Sequence, residues 1–144
     1  MASTPNLRFQ DRVSIVTGAA GGIGEAYARR LASEGASVVV ADIDAERAAA
    51  VARSIVADGG TALGVAVDIS DPDSTREMAA ATMDAFGRID HLVNNAAMTK
   101  ATPVMEIGPE EFDAVLATNL RGTLFGCQVM GAHMAEAGYG RLIN

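Results

Sequence analysis

Four glycines lie close together at the end of the first run of β-branched residues. The segment from Thr17 to Gly24 reads TGAAGGIG, and its glycines are Gly18, Gly21, Gly22 and Gly24. Glycines at a strand-to-helix turn let the main chain pass close to a pyrophosphate, and the following helix presents unpaired N–H groups to it. Any tight turn favours glycine, but four glycines where a strand meets a helix favour phosphate binding over a plain turn.

Asp42 directly follows the second β-branched run. Its carboxylate can accept hydrogen bonds from both ribose hydroxyls of an adenosine, and it would repel a 2′-phosphate. Because Ala19, Ala20 and Gly21 carry no basic side chain to hold that phosphate, we expect NAD to be preferred over NADP. The alternative is that Asp42 only caps the next helix, a position for which Asp44 is better placed.

Polar residues also follow the third and fourth strands. Asp68 can accept a hydrogen bond from an adenine amino group while Ile69 packs on the ring, although a solvated strand end is an equal alternative. In the NNAA segment at 94–97, an amide such as that of Asn95 can tie neighbouring strands together, and a small residue such as Ala96 lets a ligand lie close. An ordinary asparagine-rich turn would look similar, but such turns favour glycine nearby, whereas Ala96 and Ala97 follow here.

Asn119 lies in a long helical pattern, on the same face as Val115 and Leu116. A buried amide costs about 1–3 kcal/mol unless its hydrogen bonds are met. We therefore expect an asparagine that bonds to main chain or to a trapped water, which is compatible with a catalytic role.

These residues are positioned by alternating strands and helices. Strands are predicted at 12–17, 36–41, 61–67, 89–93 and 141–144, and helices at 22–35, 45–58, 72–87 and 109–137. Ile23, Tyr27 and Leu31 are predicted to form the apolar face of the first helix. The alternation predicts an α/β fold, a Rossmann-type doubly wound parallel sheet, with its ligand outside the carboxyl ends of the strands.

Composition limits the function classes. The chain has 144 residues, 49% of them hydrophobic, and a formal net charge of −7, so we expect neither nucleic-acid nor membrane binding. Residues 1–12 hold no apolar segment typical of a secretory leader. Cys127 is the single cysteine, which excludes an internal disulfide and a cysteine-based zinc site. We expect it in the core of a cytoplasmic protein that holds no metal.

Together these residues resemble the classical short-chain dehydrogenase/reductase family. The resemblance covers residues 13–144 and rests on TGxxxGIG, the strand-end aspartates, NNAA and the asparagine of TNLRGTLFG. It implies a nicotinamide cofactor and hydride transfer between that cofactor and an alcohol or carbonyl substrate. The residues that it assigns to cofactor binding are Gly18, Gly21, Gly22, Ile23, Gly24, Asp42, Asp68, Ile69, Asn95 and Ala96.

The family also implies a catalytic serine, tyrosine and lysine, with an asparagine at the position of Asn119 that holds a water in the proton relay. The sequence ends at Asn144, before the point where the family places its serine and YxxxK motif. Neither Tyr27 nor Tyr139 is followed four residues later by lysine. We therefore expect residues 1–144 to be an incomplete NAD(P)-binding Rossmann domain, truncated after the fifth strand and inactive alone. The alternative is a non-catalytic truncated module that binds a dinucleotide.

The resemblance also implies that the protein forms an oligomer. The long helix commonly forms part of a four-helix contact in the family, so the full-length form is expected to be a homodimer or homotetramer.

One residue near the site departs from the family pattern. Ala97 stands where the family usually has a glycine after NNA. The loop at 98–103 has small and polar side chains that do not select among alcohol or carbonyl substrates.

Overall fold

The computed structural model describes residues 7–144. Five strands form one sheet: β1 (Val13–Thr17), β2 (Ser37–Asp42), β3 (Thr61–Ala66), β4 (His91–Val93) and β5 (Arg141–Ile143). Their order is β3-β2-β1-β4-β5, and every neighbouring pair is parallel. The strand order reverses between β1 and β4, which is where such sheets bind ligands. The predicted Rossmann-type sheet is confirmed, and its strands differ from the predicted bounds by one or two residues.

Five α-helices connect and follow the strands: α1 (Gly22–Ser33), α2 (Ala45–Ala57), α3 (Pro72–Phe86), α4 (Pro109–Leu116) and α5 (Thr123–Glu136). Their starts follow local chemistry. The side chain of Asp44 accepts the N–H of Arg47 and thus caps α2, and Asp71 caps α3 in the same way ahead of a proline. The helix α3 ends at Gly87, whose φ of 72° lies in the left-handed region.

Helices cover both faces of the sheet. Alternate residues of a strand point to opposite faces, so Val16 packs with α1 and α2 in one core cluster, while Ile15 packs with α3 and α5 in the other. The central run Val38–Ala41 of β2 is fully buried, as expected for a strand covered on both faces. This rigid centre fixes the positions of the residues that follow each strand.

The predicted apolar face of α1 is confirmed at Leu31, which packs against a core cluster, and is wrong at its other two residues. Ile23 and Tyr27 are 67% and 48% exposed, and the buried residues of the helix are Gly24, Ala28 and Ala32. Small side chains face inward because α1 lies close to the sheet and to the turn that precedes it. The face was predicted from the large apolar residues of the helix, whereas close packing placed small residues at every fully buried position.

The long helix predicted over 109–137 is helical from Pro109 to Glu136, but its α-helical hydrogen bonding is interrupted part-way. A π-helical segment, Ala117–Gly122, separates α4 from α5 and contains Asn119. The hydroxyl of Thr123 donates to the carbonyl oxygen of Asn119 at 2.8 Å. A side chain thus bonds a carbonyl of this segment, an interaction that often bends helices.

The expected burial of Cys127 is wrong, and the expected absence of a secretory leader stays a prediction. Cys127 is half-buried rather than in the core, and its Sγ lies 3.5 Å from Nδ2 of Asn94. Residues 1–6, on which the expectation of no secretory leader partly depends, lie outside the described residues. Over residues 7–144, no helix combines the length and the apolar character needed to cross a membrane.

Candidate functional site

A groove of about 680 Å³ lies at the carboxyl ends of the strands, where the strand order reverses. The predicted site residues that line it are Gly18, Asp42, Asp68, Ile69, Asn95 and Ala96. These residues follow four different strands, and the parallel sheet brings them together. Gly21, Gly22, Ile23, Gly24 and Asn119 are outside this lining. The first four form the adjacent turn and the start of α1.

The glycine-rich turn needs glycine at two positions for different reasons. Gly18 has a φ of 64°, and a Cβ atom there would lie 2.8 Å from Cα of Ala96. A Cβ atom on Gly24 would lie 2.2 Å from the carbonyl oxygen of Gly18 and 2.6 Å from Nδ2 of Asn95. The turn is therefore packed directly against the NNAA segment, with no room for a methyl group at either position.

Hydrogen bonds join the same two turns. The N–H groups of Asn95 and Ala96 both donate to Oγ1 of Thr17 at 3.1 Å. In return, Nδ2 of Asn95 donates to the carbonyl oxygens of Thr17 at 2.9 Å and of Gly18 at 3.1 Å. The amide of Asn95 thus ties the ends of β1 and β4 together, as its position in the sequence suggested.

Asp42 is held at the edge of the groove by two main-chain donors. The N–H of Ala20 donates to Oδ2 at 3.0 Å, and the N–H of Asp44 donates to Oδ1 at 3.1 Å. Because Asp44 caps α2, Asp42 is not the cap of that helix. Each carboxylate oxygen can accept a further hydrogen bond, so the side chain keeps acceptor capacity for a ligand.

Arg47 is a residue near the site that the sequence analysis missed. A Cβ atom built on Gly21 would lie 2.8 Å from Nη2 of Arg47, so the guanidinium group lies against the glycine-rich turn. The sequence feature that could have pointed to Arg47 is its position in the first turn of α2, five residues after Asp42. The reach of its long side chain is a tertiary property that spacing does not reveal.

Asp68 and Ile69 follow β3 and line the groove. Oδ1 of Asp68 accepts hydrogen bonds from the N–H and the hydroxyl of Ser70 at 2.9 and 2.7 Å. Ile69 packs against the π-helical segment, because a Cβ atom on Gly122 would lie 2.9 Å from its carbonyl oxygen. The adenine contact expected for both residues stays a prediction.

Asn119 is half-buried, and its amide bonds entirely to main chain. The N–H of Met98 donates to Oδ1 at 2.8 Å, and Nδ2 donates to the carbonyl oxygen of Met98 at 2.9 Å. Met98 in turn lines the groove. The sequence analysis expected main chain or a trapped water as the partner, and the structure shows main chain.

A second polar cluster lies at the opposite, amino ends of the strands. Burial acts to raise the pKa of Asp90, but hydrogen bonds from Arg88, from the N–H of Val13 and from Arg12 hold that pKa below its usual range. Burial lowers the pKa of the neighbouring His91, whose Nε2 lies 3.3 Å from the hydroxyl of Tyr139. This cluster and the groove therefore lie at opposite ends of the strands.

Comparison with known families and solved structures identifies the family and the fold. The family model described as short chain dehydrogenase matches residues 12–144. The chain belongs to the short-chain dehydrogenase family. A solved structure of a metagenomic short-chain oxidoreductase in complex with NADP superposes with a TM-score of 0.89 at 40% sequence identity, covering 94% of this chain and 62% of that chain.

Curated members of this family are similar in sequence. The D-threitol dehydrogenase of Mycolicibacterium smegmatis is 41% identical over 139 residues, which covers 96% of this chain and 54% of that protein. The sorbitol dehydrogenase of Cereibacter sphaeroides is 40% identical over 139 residues, covering 96% of this chain and 53% of that protein. The chain thus spans about half the length of the curated relatives that it matches.

Proposed function

We propose that this chain is the dinucleotide-binding part of an NAD-dependent oxidoreductase that transfers hydride between a nicotinamide and an alcohol or carbonyl substrate. The observation that carries the proposal is the groove at the switch in strand order, where a glycine-rich turn, two strand-end aspartates and the NNAA segment meet. The family supports the same reading, because its named relatives include dehydrogenases of D-threitol and sorbitol.

The residues of the groove fit a dinucleotide. Gly18 and Gly24 leave no side-chain volume at the turn, and around Gly22 there is open space where a Cβ atom would have no neighbour within 4 Å. Open space beside the first residue of α1 leaves its N–H groups free to face a pyrophosphate. When bound, the nicotinamide supplies the site that gives or accepts hydride. This chain binds and orients that group.

The proposed preference for NAD over NADP rests on Asp42. Its carboxylate lines the groove, and two main-chain N–H groups fix its position. In that position it can accept hydrogen bonds from ribose hydroxyls and repels a 2′-phosphate. The metagenomic relative was solved with NADP, so family membership alone does not favour either dinucleotide.

We propose that Asn119 acts as a positioning residue. It fixes the main chain of Met98 at the rim of the groove, next to the Ala97 position at which the family usually has glycine. The water in a proton relay that the family resemblance implies stays a prediction. Steady-state kinetics of the full natural protein separate this role from a purely structural one. If Asn119 aligns the reacting groups, removing its side chain lowers kcat more than it raises KM.

The 144-residue chain alone is proposed to lack turnover. Its two tyrosines are not at the groove: Tyr27 is on the exposed side of α1, and Tyr139 contacts His91 at the opposite end of the sheet. The second candidate function, a non-catalytic dinucleotide-binding module, is supported by the same observation. The two candidates differ in what the full natural protein does.

One experiment tests both candidates. The full natural protein and the 144-residue chain are compared for NAD binding by calorimetry and for NADH formation with a panel of alcohols that includes D-threitol and sorbitol. We expect NADH formation only with the full natural protein. NAD binding without turnover by the full natural protein would favour the module, and the absence of dinucleotide binding in a folded protein would overturn both.

We also propose that the full-length form is a homodimer or homotetramer that resides in the cytoplasm. Phe112, Leu116, Leu120 and Leu124 form an exposed apolar stripe along α4, the π-helical segment and α5. Burying such a stripe between two copies would remove apolar surface from water. Light scattering of the full natural protein and of a Leu120→Glu variant tests this contact, with a smaller assembly expected for the variant.

A further inference from the structure

We propose that three arginines at the amino ends of the strands, Arg12, Arg88 and Arg141, bind a small multivalent anion that carries phosphate or carboxylate groups. These three residues are called the arginine cluster below. They lie at the opposite ends of the strands from the groove, so this inference goes beyond the proposed dinucleotide function and does not depend on it.

Three neighbouring parallel strands bring the arginine cluster together. Arg12 directly precedes β1, Arg88 lies three residues before β4, and Arg141 is the first residue of β5. In the sheet, β4 lies between β1 and β5. Because parallel strands start at the same edge of a sheet, residues that are far apart in the sequence meet there.

One buried carboxylate fixes two members of the cluster and is fully used in doing so. Oδ1 of Asp90 accepts Nη1 of Arg12 at 2.9 Å and Nη2 of Arg88 at 2.7 Å. Its Oδ2 accepts Nε of Arg88 at 2.7 Å and the N–H of Val13 at 2.8 Å. A carboxylate has about four lone-pair sites, so Asp90 has no capacity left for the other guanidinium N–H groups.

The ring of Tyr139 places the third member of the cluster beside the first. Cζ of Arg12 lies 4.0 Å and Cζ of Arg141 lies 5.1 Å from the centroid of this ring, both within cation–π range. The side chain of Arg141 donates to the carbonyl oxygen of Gly140 and forms no ion pair with any residue between 7 and 144. Its remaining N–H groups are therefore available to a ligand.

The cluster is accessible and retains a positive charge. The side chains of Arg12 and Arg88 are 34% and 46% exposed, and Arg141 is exposed as well. Only two carboxylates act on Arg88, those of Asp90 and Asp11, so they do not balance three guanidinium groups. Guanidinium groups bind phosphate and carboxylate with parallel hydrogen bonds, and several of them close together favour an anion with more than one charge.

His91 is a buried reporter beside the cluster. Its ring contacts Oγ of Ser14 at 2.9 Å and the hydroxyl of Tyr139 at 3.3 Å, and it packs edge-on with Phe9. Burial lowers the pKa of His91, the charge of Asp90 acts to raise it, and all three arginines of the cluster act to lower it. An anion bound to the cluster offsets the arginine charges and therefore raises the pKa of His91.

The test needs a local signal, because pyrophosphate can also bind at the glycine-rich turn. The Cε1–H resonance of His91 in the full natural protein, assigned with His91→Gln, is followed by NMR while pyrophosphate, citrate or sodium chloride is added at matched ionic strength. We expect pyrophosphate and citrate to shift the resonance saturably and to move its titration midpoint to higher pH. Sodium chloride is expected to give only the smaller, unsaturated change that screening produces.

Substitution of Arg141 assigns the signal to the cluster. Arg141→Gln is expected to weaken the apparent affinity for pyrophosphate by about tenfold, and Arg141→Lys by less, because lysine keeps the charge and loses the parallel hydrogen bonds. The matched control is Arg53→Gln, which removes an exposed arginine from α2 and is expected to change the affinity by less than about twofold.

Saturation by either multivalent anion, with selective loss in Arg141→Gln, supports the site. The inference is overturned if neither anion shifts His91 saturably, if sodium chloride has the same effect, or if Arg141→Gln and Arg53→Gln bind alike. Should Arg141→Gln fail to fold, Arg88→Gln takes its place, since Asp90 then keeps its bonds to Arg12 and to the N–H of Val13. None of these results bears on dinucleotide binding in the groove.

Discussion

The side-chain amide of Asn119 pairs with both main-chain polar groups of Met98. The N–H of Met98 donates to Oδ1 at 2.8 Å, and Nδ2 donates to the carbonyl oxygen of Met98 at 2.9 Å. This pairing joins the π-helical segment to the loop that follows β4, at the rim of the groove. The side chain of one residue therefore determines where that loop lies.

Removing this pairing is expected to destabilise the protein. Asn119→Ala leaves the N–H and carbonyl of Met98 without partners, so we expect the free energy of unfolding of the full natural protein to fall by about 1–3 kcal/mol in urea denaturation. Arg121→Ala, an exposed change in the same segment, is expected to stay within about 0.5 kcal/mol of wild type. Equal stabilities of the two variants would show that the pairing contributes nothing.

Two glycine substitutions in helices are expected to have opposite signs. Gly24→Ala brings a methyl group within 2.2 Å of the carbonyl oxygen of Gly18, which is main chain and cannot rotate away. We expect a loss of about 1–3 kcal/mol in stability and a loss of dinucleotide binding. At Gly131 the nearest atom is Cδ1 of Leu142 at 3.8 Å, so Gly131→Ala is expected to gain roughly 0.5–1 kcal/mol from helix propensity.

The comparison is made by urea denaturation of the full natural protein, with NAD binding measured alongside. A stable Gly24→Ala variant that binds NAD normally would contradict this prediction. It would mean that the main chain of the glycine-rich turn moves to accept the methyl group at no cost. A destabilised Gly131→Ala variant would point instead to a general cost of alanine in these helices.

His91 is expected to make stability depend on pH. Its Nδ1 lies 2.9 Å from Oγ of Ser14, and burial lowers its pKa from the ordinary value of 6.5. The folded state therefore favours the neutral imidazole. The stability that this provides is present above the unfolded-state pKa of about 6.5 and is lost as the pH falls through the lower, folded-state pKa.

The free energy of unfolding of the full natural protein, measured between about pH 8 and pH 5, tests this linkage. We expect a decline toward acid that is weaker in His91→Gln and unchanged in His133→Gln, which removes the other histidine of residues 1–144. Asp90 also has a lowered pKa, but it titrates below its ordinary value of 3.8, outside this window. An unaltered pH slope in His91→Gln would contradict the assignment.

Local sequence signals predicted the sheet and the helix starts. The run Val38–Ala41 is apolar without interruption because helices cover both faces of β2, and that pattern needs no knowledge of the neighbours. Asp44 and Asp71 cap helices through main-chain N–H groups only two or three residues away. Such interactions are read directly from spacing.

Tertiary contacts determined what the sequence analysis missed. The inward face of α1 consists of Gly24, Ala28 and Ala32 because the helix lies against another turn, a contact absent from the helix pattern itself. The π-helical segment contains Asn119, whose partner is Met98 in a separate loop. Arg47 reaches the glycine-rich turn only because α2 packs beside it.

Thr17 joins the two turns of the groove, and its hydroxyl can be removed with almost no change in shape. Oγ1 accepts the N–H groups of Asn95 and Ala96 at 3.1 Å and donates to the carbonyl oxygen of Val93 at 3.3 Å. Thr17→Val removes this acceptor from both N–H groups. That of Asn95 keeps the carbonyl oxygen of Val93 at 3.0 Å, whereas that of Ala96 loses its partner, and an unsatisfied buried group costs about 1–3 kcal/mol. Thr17→Ser keeps the hydroxyl and loses only a methyl group, worth about 0.8 kcal/mol.

We therefore expect Thr17→Val to be less stable than Thr17→Ser in urea denaturation of the full natural protein, although valine retains more apolar surface. We also expect only the valine variant to bind NAD more weakly, because the NNAA segment that lines the groove is held to the glycine-rich turn through this hydroxyl. If valine proved as stable as serine, with unchanged NAD affinity, the shared hydroxyl would not be what holds the groove together. That role would then fall to the amide of Asn95, whose bonds to Thr17 and Gly18 go to main-chain oxygens and survive both substitutions.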